Sequence, residues 1–300
     1  MRSFVVIATK GRPHEIRLTL DCVKSQTRPP DFTVVVGTAE SDIAEIRDHS
    51  LLQPGIGYVS ISPRIGLTVQ RNRALEILNA RGLLDLAKER FFCAFVDDDF
   101  LVAPDWLEAA HRRLEKDDIA GLTGRVLADG ARMAGLTPQR AKMLMDSAST
   151  SYERELEAGC LYGCNMAFID KVVVQNRFDE NMPLQGWLED AEYSHKAKRV
   201  GKLIYFPGAK GVHLAVQSHG GARGVRFGYS QVANPIYLSR KGAMSMQNAI
   251  RLVALGLASN TVGSLSRRAK IDYSGRLLGN LYGLADLITF RSDPTRVVRV

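Results

Sequence analysis

Six apolar residues in succession at positions 91–96, Phe-Phe-Cys-Ala-Phe-Val, run directly into three aspartates, Asp97, Asp98 and Asp99. A run this short cannot cross a bilayer, and it lacks the polar alternation of a half-exposed strand. It reads as a strand buried on both faces, of the kind found inside a parallel sheet covered by helices. Adjacent carboxylates repel, and taking them out of water raises their pKa, so three of them at a strand end fit best where a cation lowers the cost. Carboxyl ends of parallel strands are also where open sheets bind ligands. The competing reading is a solvated acidic turn capping the helix that follows.

The flanking sequence repeats the same alternation. Residues 4–8, 33–36 and 58–61 predict short strands, and residues 14–25 and 67–79 predict helices with apolar residues at helical spacing. Pro104 opens a helix over 104–114, since the first helical position has no use for the missing N–H. A strand over 119–126 precedes a polar stretch over 128–157 with one short helix at 138–145. Strand character returns at 160–169, a helix follows over 189–200, and two short strands lie at 203–206 and 210–214. Gly220, Gly221 and Gly224 mark a joint, after which three helices fill 225–240, 244–257 and 273–290. The fold class is α/β, with one domain over 1–222 and a basic helical extension over 223–300.

At 300 residues, 45% hydrophobic and 24% charged, the chain is neither disordered nor fibrous. Cys22, Cys93, Cys160 and Cys164 show no paired zinc spacing and read as reduced, buried filler. No apolar stretch is long enough to span a membrane, and the amino terminus lacks the pattern of a secretory signal, which points to the cytoplasm. The net charge of +8 is unevenly spread. From Arg223 onward there are 12 Lys and Arg against 3 acids, or +9, which leaves −1 for the first 222 residues. A near-neutral part and a basic part suggest two roles, the second with an anionic partner.

The second chemically distinctive segment is Trp187-Leu188-Glu189-Asp190, opening the helix at 189. Acids in a first turn are favoured by the helix dipole, so capping is one reading of Glu189 and Asp190. The other makes Asp190 a general base. Taken with FVVIATKGRP, GLTVQRNRAL, FVDDDFLVAPDWLEA and CLYGCNMAFID, this segment resembles inverting glycosyltransferases of family 2, which have the GT-A fold, a Rossmann-like nucleotide-binding mixed sheet flanked by helices. The likeness spans about residues 4–214, five motifs in order.

The resemblance implies the roles residue by residue. Thr9 and Arg12 border the nucleobase and ribose, Arg71 helps hold the nucleotide, and Asp97 and Asp98 face the ribose and donor sugar. Asp99 holds a divalent metal, Mn²⁺ or Mg²⁺, on the diphosphate of a UDP-, GDP- or dTDP-linked sugar. Asp190 takes the proton of the acceptor hydroxyl, with Trp187 and Glu189 on the acceptor side. One departure concerns the second strand, which ends VVVGTAESD rather than in the family's usual acid, leaving Glu40 as the nearest acid for the base or the main chain around Thr38 in its place.

His213 stands where some GT-A enzymes place a histidine metal ligand, or else is an ordinary hydrogen-bonded histidine at a strand end. The loop carrying His219, Gly220, Gly221, Arg223 and Arg226 reads as a lid over the diphosphate or as a plain hinge. The basic helices fit an anionic membrane surface, with a packed solvated cap as the alternative; no nucleic-acid recognition motif accompanies them. The resulting expectation is a peripheral enzyme on the cytoplasmic face of the membrane, glycosylating a lipid-linked or growing polysaccharide acceptor. A sugar-phosphate nucleotidyltransferase and a non-catalytic carbohydrate-binding scaffold are the alternatives; the first usually carries a longer glycine-rich loop than ATKGRP.

Overall fold

The structure, a computed structural model, describes residues 1–116, 118–132, 136–148, 154–216, 223–265 and 271–300. The chain groups into two compact units. The first comprises Met1–Ile65, Val69–Phe178 and Tyr193–Ser218; the second comprises Gly66–Thr68, Asp179–Glu192 and His219–Val300.

The strands are β1 (Arg2–Ala8), β2 (Phe32–Gly37), β3 (Gly57–Ile61), β4 (Phe91–Asp97), β5 (Phe100–Val102), β6 (Ile119–Asp129), β7 (Leu156–Glu157), β8 (Asn165–Ile169) and β9 (Lys202–His213). They form one sheet in the order β3-β2-β1-β4-β8-β6-β9-β5, with β7 pairing β9. β3, β2, β1 and β4 are parallel; β8 runs antiparallel to β4 and β6, and β5 antiparallel to β9. The sheet is therefore mixed, and β1, β2 and β4 are buried nearly throughout, as their uninterrupted apolar sequences require. Helices α1 (Pro13–Lys24), α2 (Glu40–Ile43), α3 (Leu67–Ala80), α4 (Trp106–Leu114), α5 (Pro138–Ser147), α6 (Asp170–Gln175) and α7 (Glu189–Ala197) intervene. α1 has Pro13 in its first turn and buries Ile16, Leu20 and Val23, one stripe at helical spacing.

Register determines what the strands' carboxyl ends share. Ala8 of β1 lies beside both Val36 of β2 and Asp97 of β4, so the loop after β1 faces the aspartate triplet. Gly57 admits no side chain, because a Cβ there would meet the Leu51 carbonyl oxygen at 1.9 Å.

Several local expectations are corrected. Pro104 precedes α4 instead of starting it; it occupies the second position of a turn closed by Trp106 N–H on the Ala103 carbonyl, another place that favours proline. The residues after the triplet form β5, which the sequence reading did not anticipate. The two strands expected on either side of Pro207 and Gly208 are one, β9. Its pairing with β6 jumps from Gly124↔Phe206 to Arg125↔Lys210, so the irregularity absorbs both residues without ending the strand. Residues 160–164, expected as strand, are not; β8 begins at Asn165. All four cysteines are free, but Cys160 is exposed.

The second unit contains α8 (Arg223–Arg240), α9 (Met246–Ser264) and α10 (Tyr273–Ile288). Tyr229, Ala233 and Val297 form a small core there, joined by Leu184. Residues 179–192 group with these helices, whereas the sequence reading assigned them to the domain over 1–222. The reason is specific bonding: Lys241 of α8's end binds the carboxylates of Asp179 and Glu192, and Tyr237 donates to Asp179 at 2.7 Å. No helix among the described residues is long and apolar enough to cross a membrane.

Candidate active site

The triplet at the end of β4 is held by groups from the loop after β1, from α3 and from the end of β9 onward. Asp98 is almost fully buried; its Oδ2 accepts from the Thr9 hydroxyl at 2.8 Å and its Oδ1 from Arg12 Nη1 at 2.6 Å. Burial pushes the Asp98 carboxyl well up, Arg12 opposes this, and the Asp99 carboxylate adds to the rise. Asp99 is also buried. Its Oδ2 accepts from Val216 N–H at 2.8 Å and lies 3.1 Å from Arg12 Nη1. Burial alone would raise Asp99, yet His213, Arg12 and the Val216 N–H outweigh it and hold the carboxyl below its ordinary value. Asp97 is the most accessible of the three and accepts from Arg71 Nη2 at 3.0 Å.

His213 reaches the triplet because β9 lies between β5 and β6: it pairs with Phe100 on one side and with Asp129 on the other. Its Nε2 lies 3.4 Å from Asp99 Oδ1 and its Nδ1 3.0 Å from Asp129 Oδ1. Burial would lower its pKa, but hydrogen bonding to Asp129 and Asp99 carries it up to about 10. Asp129 also accepts from the Tyr162 hydroxyl at 3.1 Å, so it both orients and charges the imidazole. Asp129 was not singled out in the sequence, where it sits at the edge of the polar stretch.

Ligand atoms of Asp97, Asp99 and His213 all lie within 4.8 Å of one another. Asp99 Oδ1 is buried, and among the described residues it meets His213 Nε2 at 3.4 Å as an ion pair. Once His213 gives up a ring proton, the Asp97 and Asp99 carboxylates and the imidazole form a donor set that suits a divalent cation. The residues fit a metal.

Arg71 of α3 is only 2% exposed, donates to the Gly163 carbonyl at 2.9 Å, and lies over the rings of Phe95 and Phe178. Its neighbour Asn72 is structural, exchanging two hydrogen bonds with the Phe178 backbone. Gln70, which sequence reasoning passed over, donates to the Thr9 and Val36 carbonyls at 2.8 and 2.7 Å and so ties the ends of β1 and β2.

The loop after β2 differs from expectation. Glu40 is exposed and forks onto Arg47, whose guanidinium holds it below the ordinary carboxylate range. The buried acid is Asp42, which accepts from Gly11 N–H at 2.7 Å, from the N–H and hydroxyl of Thr38 at 2.8 Å, and from Ala39 N–H at 3.0 Å. Asp42 thereby ties the loop after β1 to the loop after β2. Its signal in the sequence is its place three residues beyond the helix start, where an acid satisfies first-turn donors.

Trp187, Glu189 and Asp190 belong to the second unit. Three residues in five, Leu184, Gly186 and Leu188, have φ of 59°, 55° and 71°. Two are leucines, for which this region costs roughly 1–2 kcal/mol each, and such strain gathers at functional segments. The loop is held by Asn234, which donates to the Trp187 carbonyl at 2.7 Å, and by Phe227 against the Trp187 ring. Glu189 is buried, and Asp190, half-buried, accepts from Ala191 N–H at 2.8 Å. Arg223 and Arg226 lie on α8, not on a loop, and Arg226 donates to the Val300 carbonyl at 3.1 Å. His219, Gly220 and Gly221 lie outside the described residues, as do Arg267, Arg268 and Lys270.

Residues 4–175 match the family model of glycosyl transferase family 2. No curated protein sequence matches the chain. Among solved structures, residues 1–349 of TarS from S. aureus align with TM-score 0.57 and 14% identity, covering 99% of this chain and 82% of that one. The mannosyltransferase PcManGT from Pyrobaculum calidifontis, in complex with GDP-Man and Mn²⁺, aligns with TM-score 0.55 and 17% identity, covering 99% and 85%. GalNAc-T7 with UDP, GalNAc and Mn²⁺ gives TM-score 0.53 and 18% identity, covering 82% of this chain and 52% of its own. The chain spans about half the length of that protein and 44% of a longer TarS structure. These likenesses establish the GT-A fold.

Proposed function

Because the chain belongs to glycosyl transferase family 2 and is a glycosyltransferase, we propose that it moves a sugar from a nucleoside diphosphate donor to an acceptor hydroxyl with inversion at the anomeric carbon. The observation that carries this reading is the convergence of Asp97, Asp99 and His213 at the carboxyl end of β4, beside the Thr9 and Arg12 loop. Solved neighbours holding UDP or GDP-Man with Mn²⁺ support it.

Asp97, Asp99 and His213 would hold a divalent cation, which when bound offsets charge gathering on the departing diphosphate. The chain's own groups do the rest. Asp98 fixes the Arg12 guanidinium beside the strand ends, where it can meet donor oxygens. Asp97 and Arg71 face the donor, with Arg71 kept in place by its two aromatic rings. Asp42 shapes the two loops around the nucleoside from below, and Glu40 stands outside that network. Arg223 and Arg226 would reach the diphosphate from α8. Asp190 takes the acceptor proton as the oxygen attacks opposite the leaving group, with Trp187 and Glu189 shaping the acceptor side; one base suffices for a single displacement. A lipid-linked or polysaccharide acceptor and an anionic membrane surface fit the +9 of the last 78 residues.

Incubation with UDP-, GDP- and dTDP-sugars and Mn²⁺ tests the reading. Release of nucleoside diphosphate is expected; pyrophosphate would favour nucleotidyl transfer, and inertness with every donor a binding role. Asp190→Asn should cut transfer by about 10²–10⁴-fold while leaving donor affinity unchanged. Full turnover in that variant would remove Asp190 as the base.

A further inference from the structure

Part of the interior of the second unit is polar or small, beside the buried Tyr229, Val232 and Val253. Between its helices lie Asn260, Asn280 and Gln231: Asn260 Nδ2 donates to Gln231 Oε1 and to Asn280 Oδ1, each at 2.7 Å, and Asn280 Nδ2 donates to the Gly228 carbonyl at 2.7 Å. The helices meet through glycines. A Cβ on Gly228 would lie 1.9 Å from the Arg276 carbonyl oxygen, and one on Gly279 would lie 1.9 Å from that of Val225. Gly275, Gly279 and Gly283 follow one another at four-residue intervals along α10.

The outward faces carry large apolar residues among polar ones such as Gln247, Arg251 and Thr261. On α9, Ile250, Leu255 and Val262 are 58%, 54% and 70% exposed; on α10, Leu278, Leu281 and Ile288 are 42%, 53% and 76% exposed and fall on one stripe. α9 contains no acid, and the one acid of α10, Asp286, is bound by Arg296 and by the Tyr229 hydroxyl. Hydroxyls on these faces bond back to their own helix, Thr261 to the Leu257 carbonyl and Thr289 to that of Ala285. Water selects the opposite arrangement. Close packing through glycines, amides as interhelical bonds and apolar exteriors are what helices adopt when their solvent is hydrocarbon. Large apolar side chains exposed in this number on two helices mark an interaction surface.

We infer that the outward faces of α9 and α10 embed in the boundary between lipid headgroups and acyl chains of an anionic bilayer, as a shallow helical hairpin that does not cross it. The helices, 19 and 16 residues long, extend about 28 and 24 Å, and neither is apolar enough to span. Anionic lipid is the occupant because residues 223–300 together carry +9, which attracts it and sets two copies of this region against each other. Arg251, on the outer face of α9, can keep its head among phosphates while its stem follows the apolar surface. The inference rests on the anionic-surface reading above and sharpens it from attraction to insertion; donor chemistry is independent of it.

The test is flotation of the full chain with phosphatidylcholine vesicles containing about 30% phosphatidylglycerol, at low salt and at about 1 M NaCl, where the Debye length falls to about 3 Å. Insertion predicts binding that survives high salt and falls about tenfold or more in the double variant Leu281→Glu, Ile288→Glu, with donor turnover unchanged. Binding that salt abolishes in the wild-type chain would overturn insertion while leaving electrostatic attachment standing. Absence of binding, together with a dimer in sedimentation that the double variant dissociates, would make the face a contact between copies. Absence of both binding and dimer would overturn the membrane reading itself.

Discussion

Asp42 accepts four hydrogen bonds, and its titration has a definite sign. Burial would raise its pKa, but N–H groups from Gly11, Thr38 and Ala39 and the Thr38 hydroxyl outweigh that and hold it below the ordinary value. A carboxyl depressed in the folded state contributes stability that is complete above its unfolded pKa of about 3.9 and is lost as pH falls through the folded value. Urea midpoints should therefore drop on acidification below about pH 4, and Asp42→Asn should flatten that slope while costing about 1–3 kcal/mol at neutral pH. An unchanged slope would show that other acids govern the transition. Asp99 gives the second prediction at this scale: Asp99→Ala should abolish the gain in nucleoside diphosphate affinity on adding Mn²⁺, read by calorimetry. Equal affinity with and without Mn²⁺ in the wild-type chain would place the metal elsewhere. Asp97, Asp98 and Asp99 were legible in the sequence because three carboxylates closing an apolar run are conspicuous wherever they point. Asp42 and Asp129 were not, because each is a single acid beside a loop, and only its partners distinguish it from a surface residue.

Among the elements, β4, α1 and α3 follow from local pattern: apolar runs, helical spacing and a proline in a first turn. β5 and β9 do not. Three residues, Phe100–Val102, make a strand only because β9 supplies hydrogen bonds, and β9 survives Pro207 only because β6 shifts register beside it. In the helical unit, glycines that look like breakers are contact points. Gly279→Ala would force a Cβ against the Val225 carbonyl oxygen and should cost about 1–3 kcal/mol, measured as a lower denaturation midpoint with helix content retained at low temperature. Indifference to that substitution would mean the helices pack more loosely than the 1.9 Å approach allows.

For the whole molecule, the grouping of residues 179–192 with the C-terminal helices changes what a truncation means. A chain ending at residue 221 would strip Lys241 and Tyr237 from Asp179 and Lys241 from Glu192. The truncated chain should thus lose protection from hydrogen exchange across 179–192 and lose transfer, apart from any effect on vesicles; full protection there would show that the segment stands without the helices. The amino-acid sequence by itself determined the buried strand, the acidic cluster at its end, the helices and the separation of charge, because each depends on composition or on neighbours within a few residues. Tertiary structure alone decided that His213 meets both Asp99 and Asp129, that Asp42 rather than Glu40 braces the loops, and that glycines and amides face inward in the helical unit. Those meetings depend on sheet register and helix contact between residues far apart in the chain, and no local pattern encodes which distant partner will satisfy a given polar group.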